Sequence, residues 1–329
     1  MTLKYRQLGN TDLRISEVSF GTWGIGGDWG TVSDKVSLQA LHTAMEQGVN
    51  FFDTADVYGN GHSEELLAKA TAGRESEIYI ATKFCRKGDI NDPANYTEEA
   101  VRSYCEASLQ RLKRDRIDLY QIHCPSFDIL KQGLVFEVLD KLKAEGKIRY
   151  YGVSVESVEE GLFCMEQTNV SALQVIFNLF RQKVSQQLLP VAHEKGVGIL
   201  ARVPLASGLL TGKFNHQASF ESSDHRSYNS NGEAFNVGET FAGLPLAKGQ
   251  ELSRELAWIA DGKDNMTRAA LRWILDHDAV STVIPGFKNS QQVLDNLGAL
   301  DVPSFSKAEM SRLELWYKEN VHAHIRGSY

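Results

Sequence analysis

Short runs of β-branched, aromatic and aliphatic residues recur along the chain, separated by longer stretches whose apolar positions fall three and four apart. The short runs are "VSF" near 18, "NFFDT" near 50, "IYIATKF" near 78, "IDLYQIH" near 117, "RYYGVSV" near 149, "ALQVIFN" near 172, "GILARVP" near 198 and "STVIPGF" near 281. Between them, stretches such as "SLQALHTAMEQG", "EEAVRSYCEASLQRLKR" and "VFEVLDKLKAEGK" carry the helical period. Eight strand-like runs alternating with helices predict an α/β fold: parallel strands, each needing a helical crossover, closed into a (β/α)8 TIM barrel. A doubly wound sheet is the competing architecture. It lacks support, because no strand is followed by G-x-G-x-x-G with an acidic residue about 20 positions on, and "GTWGIGG" does not supply that context.

Three segments fall outside the repeat. "KYRQLGNTDLRIS" has two extended runs around a Gly-Asn-Thr-Asp turn, which reads as an N-terminal β-hairpin over about 3–16 plugging the barrel bottom. Residues 215–245, rich in Ser, Asn and Gly and without periodicity, read as one long insertion after the seventh strand, of a length that marks a functional or mobile loop. Past 300, a capped helix around "SFSKAEMSRLELWYKEN" adds C-terminal helical structure before a short polar tail, "VHAHIRGSY". All 329 residues are expected to form one barrel domain, since such folds use about 250 residues or more.

Charge removes one class of partner. With 35 Lys and Arg against 42 Asp and Glu, the formal charge is −7, and the cations are scattered rather than gathered in the stripe a nucleic-acid binder needs. Cys85, Cys105, Cys124 and Cys164 show neither CxxC nor metal-ligand spacing, so reduced thiols and no metal are expected. There is no run of 18 apolar residues and no apolar core in "MTLKYRQLGNTDLRIS", which leads to the expectation of a soluble, cytoplasmic protein without a membrane partner. Neither a heptad seam nor an apolar stripe decides the oligomeric state.

In a barrel the chemistry gathers at the C-terminal ends of the strands. Asp53 ends the second strand, Tyr58 lies in its loop, Lys83 ends the third and His123 the fourth. A phenol, with an ordinary pKa of about 10, needs a cation nearby to act as an acid at neutral pH. The Lys83 ammonium is expected to lower the Tyr58 pKa, Asp53 to keep Lys83 charged, and His123 to hydrogen-bond a substrate oxygen or relay a proton. Taken singly, Asp53 reads as a turn cap, Tyr58 as a loop aromatic, Lys83 as an ion-pair partner and His123 as a satisfied polar group. Their joint placement on adjacent strands points to protonation of an alkoxide as hydride reaches a carbonyl carbon.

These four positions and the words around them, "FFDTADVYGNGHSEELL", "IATKF" and "DLYQIH", resemble the aldo-keto reductases. "GKIRYYGVSV" and "STVIPGFKNSQQVLDNLGAL" follow in the family's order, and the resemblance spans nearly the whole chain. It implies an NADPH-dependent reductase of aldehydes, with ketones as an open extension, in which Tyr58 is the general acid of a tetrad with Asp53, Lys83 and His123. It further implies that Gly21, Thr22 and Trp23 lie near nicotinamide and substrate, that Ser154 and Gln174 hold the carboxamide, and that Pro204, Leu205, Ser207, Gly208 and Lys213 line the pyrophosphate. Gly286, Lys288, Asn289, Ser290, Gln292 and Asn296 would form the adenosine end, with Lys288 on the 2′-phosphate and a helix N-terminus beside it. Trp23, Trp29 and the 215–245 insertion suggest an apolar, aromatic-lined substrate pocket.

Two positions depart from the family's pattern. Val155 stands where an Asn commonly follows Ser154, so one carboxamide hydrogen bond is missing, a net effect of about 0.5–1.5 kcal/mol. Arg202 stands where an aromatic usually stacks on nicotinamide; a guanidinium plane also stacks, and its charge is expected to weaken NADP+ relative to NADPH. Two other readings compete: a Schiff-base barrel lyase using Lys83, which Asp53 disfavours by holding the ammonium charged, and an NADPH-binding regulatory subunit of an ion channel with slow turnover.

Overall fold

The structure, a computed structural model, describes residues 3–27, 29–30, 32–214 and 219–329. Strands β1 (Tyr5–Gln7) and β2 (Arg14–Ser16) pair antiparallel, with Tyr5 opposite Ser16. Their turn is closed by Leu8 N–H donating to the Leu13 carbonyl at 2.9 Å and the Thr11 hydroxyl donating to the Leu8 carbonyl at 2.7 Å. Gly9 takes φ 53° there and lies against the backbone of 196–198, where a Cβ would collide.

Eight parallel strands follow in consecutive spatial order: β3 (Phe20–Gly21), β4 (Phe51–Asp53), β5 (Tyr79–Phe84), β6 (Ile117–His123), β7 (Ile148–Ser154), β8 (Ala172–Ile176), β9 (Gly198–Arg202) and β10 (Val280–Val283). The first and last meet through Ser19 N–H to the Val283 carbonyl (3.0 Å) and Val283 N–H to the Glu17 carbonyl (2.9 Å), which nearly closes the barrel. The crossovers are helices at Asp34–Glu46, His62–Ala70, Glu98–Leu112, Leu134–Ala144, Val158–Gln167, Lys183–Lys195 and Met266–Leu275. Local chemistry fixes several of their starts: the Thr97 hydroxyl accepts from Ala100 N–H, and Ser157 and Glu160 form a capping box. The helix–sheet core is continuous around the barrel.

A second, smaller apolar cluster fills the barrel's lower end, where Leu8, Leu13 and Ile15 of the hairpin meet inward-facing Phe51, Ala81, Leu119, Ala172, Leu200 and Ile284. The hairpin is the plug its sequence suggested. The expected C-terminal helix is Lys307–Asn320, opened by a Ser306/Glu309 capping box.

The insertion follows β9, and its residues 215–218 lie outside the described residues. From 219 onward it is packed rather than loose, with short turns at His225–Tyr228, Val237–Glu239 and Phe241–Gly243. Side chains replace the missing periodic backbone ladder. Asn229 donates to the Thr240 hydroxyl (3.0 Å) and accepts from Ala234 and Phe235 N–H (2.8 and 2.9 Å), so the chain is pinned from within. No helix among the described residues is long and apolar enough to cross a membrane.

Candidate active site

Side chains along a strand alternate faces, so the residue two after a lower-layer apolar position also points into the barrel, nearer its C-terminal mouth. Phe51 leads to Asp53, Ala81 to Lys83, Leu119 to Gln121 and then His123, Ala172 to Gln174, and Leu200 to Arg202. Strand register lines these up: Lys83 is opposite Gln121, His123 opposite Ser154, and Ser154 opposite Gln174. Gln121 escaped the sequence reading, although its spacing of two from His123 was the available signal.

Lys83 is fully buried, and its ammonium donates to Asp53 Oδ2 at 2.6 Å, to the Thr54 carbonyl at 2.8 Å and to Tyr58 Oη at 3.4 Å. Asp53 Oδ1 accepts from Gln174 (2.7 Å) and Gln121 (3.1 Å), which leaves the carboxylate fully engaged and oriented. Tyr58 sits on a tight turn, Tyr58–Gly61, where Gly59 takes φ 59° and abuts the Gly26 backbone. The ring stacks on Trp23 at 6.0 Å and meets His123 edge-on at 5.9 Å.

The expected lowering of the Tyr58 pKa is not what the site produces. Burial raises it well above 10, and Asp53 and Glu239 push the same way, while Arg86 and Arg202 oppose. Asp53, paired with Lys83, offsets the ammonium's field at the phenol. The consequence is a proton held on Tyr58 at neutral pH. Burial also lowers the Lys83 pKa, against the pull of Asp53. Burial, then Arg86, Lys83 and Arg202, hold His123 far below 6.5, so its imidazole is neutral, and its Nδ1 is enclosed with no partner among the described residues.

Above these groups opens a cavity of about 940 Å³ that runs from Trp23, Tyr58 and His123 past Ser154, Gln174 and Arg202 to Lys288, Gln292 and Asn296. Gly21, Asp53, Pro204, Leu205, Ser207, Gly208, Lys213 and Gly286 line it as well. Four of the predicted residues do not. Lys83 lies beneath the floor. Thr22 is buried, and its hydroxyl donates to the Asp53 carbonyl (3.1 Å) and accepts from the Ser63 hydroxyl (2.6 Å). Asn289 caps the helix Ser290–Leu297 by accepting from Gln292 N–H, and Ser290 bonds Thr43 at 2.8 Å. Lys288 folds back to donate to the Trp29 carbonyl, and burial and Arg226 lower its pKa.

The model of the Aldo/keto reductase family matches residues 17–318. The chain belongs to this family. An uncharacterized oxidoreductase, YqkF, of Bacillus subtilis (strain 168) is 32% identical over 97% of this chain and 98% of its own length. Among solved structures, the glycerol dehydrogenase of Gluconobacter oxydans (28% identity, TM-score 0.77, 99% of this chain and 98% of that one) is similar. So is a holo form of an aldo-keto reductase of Bacillus halodurans (25% identity, TM-score 0.75, 98% of both chains). Aldo-keto reductases are oxidoreductases that use nicotinamide cofactors, and an elongated cavity with cations at one end and the tyrosine–lysine–aspartate cluster at the other is a shape such a cofactor fits.

As an aldo-keto reductase the protein places an unforeseen ion cluster beside that floor. Arg202 pairs with Glu239 of the insertion and donates to the Val155 carbonyl at 3.0 Å, and Arg86 lies 3.6 Å from Glu239. Burial pushes Glu239 up, but Arg202 and Arg86 outweigh it and hold the carboxyl below its usual range. Arg202 is therefore a paired cation, and its expected effect on an oxidised nicotinamide is reduced by the carboxylate it already faces. Val155, read only as a lost donor, supplies the backbone acceptor that orients Arg202. Cys124, Glu156 and Glu239 bring ligand-type atoms within 4.8 Å of one another. Arg202, paired with Glu239 and 3.7 Å from Cys124 Sγ, supplies a fixed positive charge at that place.

The aromatic wall was partly foreseen. His225 packs against Trp23 (4.7 Å) and Trp29 (4.4 Å), and Phe235 against Trp23 at 5.9 Å. Beside it, Asn236 donates to Glu156 at 2.8 Å and Arg86 lies over the Phe235 ring at 5.3 Å, so a mostly apolar lining also carries an ionic patch. Arg86 had a signal, three residues past Lys83 at a strand mouth. Glu239, Phe235 and Asn236 had none, because an aperiodic segment does not announce which of its residues turn inward.

Proposed function

We propose that the protein is an NADPH-dependent carbonyl reductase acting on aldehydes, with ketones as the wider class. The observation that carries this reading is Lys83 Nζ bridging Asp53 and Tyr58 Oη at the floor of the cavity, beside a neutral His123. A bound reduced nicotinamide would supply hydride to the carbonyl carbon. Tyr58 keeps its proton until negative charge develops on the carbonyl oxygen, then transfers it; the buried ammonium of Lys83 stabilises the phenolate left behind. Neutral His123 donates a hydrogen bond to the same oxygen, and Asp53 keeps Lys83 charged and aimed. Ser154 and Gln174 sit in register to hold a carboxamide through the Ser154 hydroxyl and the Gln174 side-chain carbonyl. Preference for the 2′-phosphate rests on Lys288 with Arg226 near it, two cations whose mutual repulsion a phosphate would relieve.

The test is oxidation of NADPH, with NADH in parallel, against a panel of small aldehydes. Tyr58→Phe is expected to reduce turnover by about 10²–10⁴-fold while leaving NADPH binding intact. NADPH bound without aldehyde-dependent oxidation would favour a regulatory subunit, and equal use of NADH would remove the Lys288 assignment.

A further inference from the structure

The ionic patch of the pocket, Asn236 and Glu239, comes from an insertion that has no strand or long helix among its described residues to hold it. Besides Asn229 within it, residues 326–329 support it. Arg326 reaches both legs of the insertion: Nη2 donates to the Ser230 carbonyl (3.0 Å) and the Leu244 carbonyl (3.3 Å), Nη1 to Asn231 Oδ1 (3.0 Å), and Nε to the Gly243 carbonyl (2.9 Å). Its own N–H adds a bond to the Gly243 carbonyl at 3.2 Å. One planar guanidinium thus satisfies acceptors on two legs 12 to 14 residues apart in sequence, which a lysine's single ammonium does not reproduce.

The next residue completes the brace. Gly327 takes φ 79° and runs so close under the Asn236–Val237 turn that a Cβ there would lie 2.7 Å from Val237 Cγ1 and 3.1 Å from Asn236 Oδ1. The segment is anchored at its far end, where Arg181 donates to the Ser328 carbonyl and Lys183 Nζ to the Tyr329 carbonyl at 2.8 Å. On its inner side the insertion is tied to the cofactor-lining stretch: the Ser207 hydroxyl donates to the Glu239 carbonyl and accepts from Phe241 N–H, both at 3.0 Å.

We propose that Arg326, with Gly327 beneath it, is a positioning residue for the carbonyl pocket: it holds the 230–244 loop at both legs so that Asn236 meets Glu156 and Glu239 meets Arg202. Arg326 touches neither substrate nor cofactor. Its effect passes through Glu239, whose withdrawal leaves Arg202 beside the nicotinamide position without its counter-charge. The inference rests on the reductase reading of the site for its kinetic part and on geometry alone for its structural part.

The experiment compares wild type, Arg326→Ala and the milder Arg326→Lys, and reads amide hydrogen exchange of 236–244, NADP+ and NADPH affinity by fluorescence titration, and aldehyde kinetics. Arg326→Ala is expected to speed exchange across 236–244, to raise the aldehyde KM about tenfold with kcat changed less, and to weaken NADP+ more than NADPH; Arg326→Lys should fall between. Exchange unchanged in both variants overturns the brace. Faster exchange with unaltered KM and cofactor ratio overturns the positioning role. If Arg326→Ala does not fold, Arg326→Lys decides by the same readouts. If wild type turns over no aldehyde, the functional reading fails on its own, and exchange with the cofactor-affinity ratio still decides the inference.

Discussion

Burial raises the Tyr58 pKa most, and opposing charges act on top of it. Asp53 and Glu239 tighten the tyrosine's hold on the proton while Arg86 and Arg202 loosen it, so the pair Arg202–Glu239 acts on the phenol from both sides. Glu239→Gln removes the negative partner. The expected result is an Arg202 charge that bears on an oxidised nicotinamide, with NADP+ affinity lowered about five- to tenfold relative to NADPH. Titrating both forms of the cofactor checks this, and an unchanged ratio would show that Arg202 does not face the ring.

His225 tests burial rather than chemistry. It is fully buried, its Nδ1 lies 3.1 Å from the Thr240 hydroxyl, and burial lowers its pKa to about 4. An unfolded histidine titrates near 6.5, so between about pH 6.5 and 4 the unfolded chain binds the extra proton. Stability is full above that window and is lost as pH falls through it. The loss between pH 7 and 5 is about 2 kcal/mol from His225, and His123 and His277, also lowered by burial, add in the same direction. Urea denaturation at pH 7 and 5 measures it, and His225→Gln should flatten the dependence; a profile as steep in the variant would assign the slope elsewhere.

Among elements, the short strands and amphipathic helices stood where their periodicity placed them, since each buries a face that its own sequence defines. The capped starts at Thr97, Ser157 and Ser306 were likewise local. The insertion behaved differently. Asn229 serves three groups spread from Ala234 to Thr240, and no sequence period reports a side chain used as a backbone scaffold. For the same reason a segment that reads as a functional or mobile loop buries Asp224 and His225 and carries Glu239 into the wall of the site.

At the scale of the whole molecule the barrel separates stability from chemistry along its axis. The hairpin's Leu8, Leu13 and Ile15 close the end away from Tyr58 and share their cluster with the lower-layer residues. Leu8→Ala should cost about 2–5 kcal/mol in denaturant unfolding through the cavity it leaves, with kcat for an aldehyde unchanged below the transition. A matching loss of turnover in the folded variant would mean that the two ends are coupled.

By itself the sequence determined the strand–helix alternation, the plug and the positions of Asp53, Tyr58, Lys83 and His123 at strand mouths, because burial period and strand ends are local properties. Tertiary structure alone decided the sign of the Tyr58 shift, the engagement of Asp53 by Gln121 and Gln174, and the pairing of Arg202 with Glu239. The first depends on burial in the folded barrel as well as on charges such as Glu239, and the others on hydrogen bonds and ion pairs between residues tens to more than a hundred positions apart. Distance through space, not along the chain, sets an electrostatic field, and only the folded barrel brings those groups within a few ångströms.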